Sequence, residues 1–371
     1  MKIKTITCHE VYNHGATLQE YALLKYLESK GHKAEAINYK PPYLSNHFNM
    51  WSISNPFFKK NIVFKILYII LKLPKRIINL RRKRAFDSFS KTHIKSTKIV
   101  YHSNEELKRH IPKAEAFICG SDQIWNSFFQ NGKDPAFYLD FVPNDKLKLS
   151  YAASFAIDKL EDEIKSFVRE SVSRLNFVSV REESGKKILE DLGIKNVHQV
   201  LDPVFLLPPE DWEFLQSQSK ENNDYIFIYD FDSNPLIEKM ALLLKGKFNW
   251  NIITVNELIT YADKNYFLYG PDKFLSLIKN ARFVISNSFH AVAFSIIFQK
   301  DFVVFNREDK INTRMRDLLQ SIGLEHLLIS NEEMALTHQV GSLNYSEINT
   351  RLNLLIDKSK NYLNNSLNST S

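Results

Sequence analysis

Short apolar runs of four to seven residues alternate along this chain with longer stretches in which apolar residues recur every three or four positions. Runs of the first kind suit strands buried on both faces, and stretches of the second kind suit helices with one apolar side. The alternation therefore predicts βαβ units and parallel sheets, an α/β fold. In the first part of the chain the expected strands are Ile3 to Cys8, Ala34 to Asn38, Ala116 to Cys119, Leu149 to Ala153 and Phe177 to Val180. A helix is expected from Thr17 to about Lys30, stopped by Gly31, which favours the left-handed turn that ends helices.

After Asp202-Pro203 and the turn-like VFLLPPEDW the pattern starts afresh. It gives a strand at Tyr225 to Tyr229, a helix at Pro235 to Leu244, a strand at Ile252 to Val255 and a helix through GPDKFLSLIKNA. RFVISNSFHAVAFSIIFQK reads as a strand running directly into a helix, followed by the strand FVVF and the helix NTRMRDLLQSIG. Two successive wound domains joined near Leu206 to Asp211 are expected: residues 1–206, interrupted by an insertion at 58–86, then 207–345, with a terminal helix and polar tail over 346–371. The last stretch, NYLNNSLNSTS, is polar and low in complexity, and is expected to fray.

The chain has 371 residues and ten glycines, and no two glycines have a single residue between them. That excludes the G-x-G-x-x-G and GxxxxGK[ST] loops on which dinucleotide and nucleoside triphosphate sites are built. Two cysteines, Cys8 and Cys119, are too few for a disulfide framework or a zinc cage, so no metal is expected and a reducing, cytoplasmic setting fits. The first residues hold no apolar run long enough for a secretory signal.

A formal charge of +7 suggests a basic protein until the positives are located. Phe58 to Phe86 holds ten Lys or Arg and no Asp or Glu, while the rest of the chain carries 39 basic against 42 acidic residues. Nucleic acid is therefore not an expected partner. Lys65 and Lys72 interrupt the apolar residues of that segment and Pro74 breaks them, so it does not span a bilayer. Two readings suit it: an interfacial helix on an anionic membrane, or a helix packed on the first domain by its apolar face with solvated lysines.

In open parallel sheets, ligands bind beyond the carboxyl ends of the strands, next to helix N-termini. The segments that follow strands are HEVYNHGATLQ, GSDQIWN, REESG and SNSFHA. They supply Asn13, Gly15, Gln19, Gly120, Ser121, Asp122, Gln123, Asn287 and Ser288 as candidate substrate-binding residues. His290 falls in a first helical turn, suited to proton transfer near neutral pH or to hydrogen bonding within its own loop. Arg181 suits bidentate grip of a phosphate or carboxylate, or an ion pair with Glu182, Glu183 or an acid across the cleft. Asp122 suits a base or, more simply, a helix N-cap. Arg314 and Arg316 open a helix, where a solvated start is the plain reading.

NHGATLQEYALLKYL, ICGSDQIWN, YAASF, VSVREESG, LDPVFLL, GPDKFLSLIKNA, ISNSFHAVAFSI and TRMRDLL follow one another in an order that resembles the polysaccharide pyruvyl transferase family, over about residues 9 to 323. The resemblance implies two Rossmann-like domains facing a central cleft, a GT-B-like fold. It implies transfer of a pyruvyl group from phosphoenolpyruvate, as donor substrate and without a cofactor, to a sugar of a cell-surface polysaccharide or its lipid-linked oligosaccharide precursor. Arg181 then matches a donor-binding arginine, and His290 the histidine that binds and protonates the donor. Where the better-studied branch carries Arg-Leu-His, this chain reads Ser288-Phe289-His290, and Arg314 is the candidate to replace the missing cation. The same architecture serves nucleotide-sugar glycosyltransferases, and a non-catalytic membrane-associated binding protein is the third reading.

Overall fold

A computed structural model describes the chain apart from residues 46–50, 52, 54, 218–220, 222–223, 308–311, 342 and 370–371. Its first sheet takes β1 (Lys2–Ile6), β2 (Lys33–Tyr39), β3 (Ser96–Tyr101), β4 (Ala116–Cys119) and β5 (Leu147–Ser150) in the order β3-β2-β1-β4-β5. Parallel bridges Leu149–Phe177 and Ala153–Val180 carry it on to β6 (Val178–Val180), which pairs with β7 (Val197–Gln199). The second sheet takes β8 (Tyr225–Tyr229), β9 (Asn251–Thr254), β10 (Lys264–Asn265), β11 (Phe283–Ser286), β12 (Phe302–Phe305) and β13 (Leu328–Ile329) in the order β10-β9-β8-β11-β12-β13.

All of these pairs are parallel. In each half the chain winds outward over three strands, returns to the middle and winds the other way, which is the Rossmann order. Central strands such as AFIC, YIFIY, FVIS and FVVF are buried at every position, because helices cover both faces. The two halves form a GT-B-like pair.

Between the sheets lies the helix His14–Ser29, which buries 13 of its 16 residues. It starts three residues before the expected Thr17, because Asn13 caps it by accepting from the Gly15 and Ala16 N–H groups. A helix enclosed on all sides needs no polar stripe, which explains the mixed spacing of its apolar residues. Its Leu18, Leu23 and Leu27 join one continuous core with Phe227, Phe274 and Phe294 of the second half.

Two expectations change. The tail is helical as far as Asn368: a helix runs from Tyr345 to Asn368 and buries Tyr362, Leu363 and Leu367, a spacing masked by the intervening Asn and Ser residues, and the expected fraying of the last two residues lies outside the described residues. Ser359 Oγ accepts from the Leu201 N–H at 2.9 Å, and Tyr362 Oη donates to the Ser150 carbonyl at 3.0 Å, seating this helix on the first half. The basic segment forms a long helix, Ile62–His93, which packs on the body near its C-terminal end and leaves most aliphatic residues of its first half uncovered. Only Tyr68, Arg82, Phe86, Phe89 and Ser90 are buried along it, while Ile62, Ile66, Ile70 and Ile77 stand exposed.

Candidate active site

The carboxyl ends of β1, β4, β6 and β7 face those of β8, β11 and β12, so the residues after each strand meet between the halves. Arg181 directly follows β6. Its Nη1 donates to Asp202 Oδ2 at 2.5 Å, and both side chains are buried. The same carboxylate oxygen lies 3.6 Å from His290 Nε2 and 3.3 Å from Ser121 Oγ, while Asp202 Oδ1 accepts from the Val204 N–H at 3.1 Å. Burial alone would push this carboxyl up, but the imidazole of His290 beside it, then the charge of Arg181, hold it well below the usual carboxylate range. Asp202 is thus an ionised carboxylate set between Arg181 of the first half and the His290 imidazole of the second.

Asp122 is not a helix cap. It adopts a left-handed conformation, φ 65°, which a short polar side chain tolerates, and no helical turn starts until Gln130. Its Oδ1 sits between Arg181 Nη2 at 3.7 Å and Arg314 Nη1 at 3.6 Å. Arg314 is not a solvated helix start either. It is buried, burial and then the Arg181 charge bring its pKa down to about 10, and its guanidinium lies 5.9 Å from the Phe289 ring. Arg181 stacks on the same ring at 4.6 Å. The solvated reading does hold for Arg316, which is half exposed and pairs with Asp158 at 2.9 Å.

His290 lies in the first turn of the helix Phe289–Ile297, whose N-cap Ser288 accepts from the Ala291 N–H at 3.5 Å. Its ring packs against Gly15, where a methyl group on the Cα would lie 2.0 Å from Nδ1 and 2.2 Å from Cγ. Only a residue without a side chain fits there. Gly15 therefore seats the imidazole across the cleft.

Gln19, Gly120 and Ser121 also act through the frame. Gln19 Nε2 donates to Thr7 Oγ1 and to the Ala16 carbonyl, both at 3.0 Å, and Gln19 Oε1 accepts from the Ser121 N–H at 3.2 Å. Gly120, at φ 118°, lets its backbone pass against the Tyr151 carbonyl. Asn287 Oδ1 accepts from the Phe231 N–H at 3.0 Å and its Nδ2 donates to Asp230 Oδ1 at 2.6 Å, fixing the loop after β8.

A cavity opens between the halves, lined by Asn13, Asp122 and Gln123 on one side and by Asn287, Ser288, His290, Arg307 and Arg314 on the other. A second, smaller one lies against Arg181, Asp202, Arg314 and Phe289 and reaches the C-terminal helix. Arg314 and Phe289 form the wall common to both. Buried polar groups are normally paired. Here Arg181 Nε and Nη2, Arg314 Nε and His290 Nε2 are buried without a hydrogen bond. Among the described residues no group of three or more His, Cys, Asp or Glu is placed to hold a metal ion.

Sequence reasoning missed Asp202, Phe289 and Arg307. Asp202 follows β7, whose three residues VHQ are too short to read as a strand, so its Asp-Pro pair reads as a simple turn. Arg307 lies two residues beyond the end of β12, in a segment that strand-end position would have singled out.

The polysaccharide pyruvyl transferase family model matches residues 13–309. The chain belongs to that family. The matched span runs from the capping Asn13 through Arg181, Asp202 and His290, and stops short of Arg314 and the C-terminal helix. No curated protein matches this family member by sequence.

Among solved structures it is similar to the UDP-N-acetylglucosamine 2-epimerase of Rickettsia bellii, at 13% identity and a TM-score of 0.48 over 100% of both chains. The enzyme of that name from Methanocaldococcus jannaschii, solved with UDP-GlcNAc and UDP, gives 12% and 0.48 over 96% of this chain and 99% of its own. The one from Neisseria meningitidis gives 12% and 0.45 over 99% and 94%.

Proposed function

We propose that this family member moves a pyruvyl group from phosphoenolpyruvate to two hydroxyls of a sugar in a cell-surface polysaccharide or its lipid-linked precursor, forming a cyclic ketal. The observation that carries the reading is the cluster of buried, unbonded donors on Arg181, Arg314 and His290 around the Asp202 and Asp122 carboxylates. A compact anion bearing a carboxylate and a phosphate would satisfy those donors, and needs no glycine-rich loop. Arg314, beside Phe289, supplies the cation that Ser288 does not.

In this scheme Arg181 and Arg314 hold the donor's anionic groups and His290 gives a proton to its methylene carbon. The adjacent carbon gains oxocarbenium character, and a sugar hydroxyl adds to it and loses its proton. The bond from that carbon to the phosphate oxygen then breaks, phosphate leaves carrying the first hydroxyl's proton, and the second hydroxyl closes the ketal as its proton returns to His290. No metal enters these steps. Asp202 keeps the imidazole and Arg181 in register from the opposite side.

Incubation with labelled phosphoenolpyruvate and glycan should release phosphate and leave an acid-labile pyruvate increment on the sugar by mass spectrometry. His290→Asn should lower the rate by roughly 100-fold or more, the scale of a lost general acid, and Arg181→Ala should raise the donor's KM as well. Release of a nucleoside diphosphate from a nucleotide sugar, or unchanged glycan composition in cells carrying either variant, would sink the proposal.

A further inference from the structure

The helix Ile62–His93 is built the wrong way round for a surface helix of a globular body. Placed at 3.6 residues per turn, Ile62, Val63, Ile66, Ile70, Leu71 and Ile77 fall on one half of its circumference. These six expose between 49% and 67% of their surface. Lys65, Lys72, Lys75 and Arg76 fall on the other half, the side on which Tyr68 is buried. There Arg76 lies 5.6 Å from the Tyr68 ring and Lys75 lies 3.4 Å from Glu257 of the second half. The aliphatic side therefore faces outward and the cationic side rims it. No helix among the described residues is long and apolar enough to cross a membrane.

We infer that the outward half of this helix docks in the plane of an anionic phospholipid surface. The charge argues for lipid over a second copy of the chain: residues 58–86 hold ten cations and no acid, whereas two such helices facing each other would bring like charges together. Shallow burial of an apolar face with cations at its margins is how an interfacial helix holds to an anionic bilayer.

The root of the helix fixes where the bilayer would lie. Arg82 Nη2 donates to the Tyr12 carbonyl at 3.2 Å, and Phe86 packs 4.9 Å from the His14 ring, on the turn that carries Asn13 and Gly15. Docking would hold the cavity close to the membrane surface, as a lipid-linked acceptor requires. That last step rests on the proposed transfer; the docking itself does not.

The test is sedimentation of the full chain with vesicles of phosphatidylcholine alone and of phosphatidylcholine mixed with phosphatidylglycerol. The mixed vesicles should carry at least about 10-fold more protein, and less as salt rises. The combined variant Ile66→Glu, Ile70→Glu, Ile77→Glu should lose that binding with an unchanged far-UV circular dichroism spectrum. Should it fail to fold, Lys65→Glu with Lys72→Glu must lower the preference for the mixed vesicles. No vesicle binding by the natural chain, equal binding to both vesicle types, or a dimer that the isoleucine variant converts to monomer would overturn the inference.

Discussion

At the scale of single residues the site depends on contacts that leave no room for exchange. A methyl group at Gly15 would fall inside the van der Waals radius of His290 Nδ1, so Gly15→Ala must push the imidazole or the helix start away. Overpacking of this kind costs roughly 1–3 kcal/mol. If His290 is the acid proposed above, its displacement should cost more, so pyruvyl transfer should fall by more than thermal stability accounts for, a comparison made by measuring kcat and Tm on the same preparation. His9 offers a readout of stability against pH. Burial lowers its pKa, but the Glu20 charge and hydrogen bonds to Glu10 and Glu20 outweigh this and raise it to about 9. Its Nδ1 lies 2.7 Å from Glu20 Oε1, and both groups are buried. A histidine raised in the folded state stabilises fully below its ordinary pKa and loses that contribution as pH rises through the folded value. The gain, roughly 3 kcal/mol, should therefore disappear between about pH 6.5 and pH 9, and His9→Gln should flatten thermal stability across that window.

Elements differ in how plainly they stand in the sequence, and the difference is physical. Strands enclosed on both faces, such as YIFIY and FVVF, are continuous apolar runs and are legible, as is the strand-to-helix passage that delivers His290. Strand β3, STKIVY, lies at a sheet edge with exposed residues, and β7 has three residues, so neither carries enough apolar signal. The helix Tyr345–Asn368 is partly hidden because its last buried residues are spaced among Asn and Ser. Arg181 and His290 can be found because they adjoin legible strands. Asp202 cannot, because its partners lie 21 and 88 positions away in the chain and only the winding of the two halves brings them together.

For the molecule as a whole, the halves are not independent. One apolar core runs from Ile3 and Leu18 to Phe274 and Phe294 and on to Tyr362 and Leu363 of the C-terminal helix. That helix packs on Thr313–Ile322 of the second half, while Ser359 and Tyr362 bond to the first. Unfolding should therefore be one transition, with tryptophan fluorescence and far-UV circular dichroism giving coincident midpoints. Tyr362→Ala should lower the midpoint by both probes together, at a cost of roughly 3–5 kcal/mol; a split into two midpoints would show that the shared core does not couple the halves.

The contact between His290 and Gly15 joins walls contributed by distant parts of the chain. Sequence drift on one wall is thereby answerable to the other. A bulkier side chain at position 15 can be inherited only alongside a change in the side chain at 290, and a neutral residue at 202 only alongside a lost cation at 181. Across descendants of this chain, substitutions along the seam should arrive in pairs, while the exposed faces of the outer helices change freely.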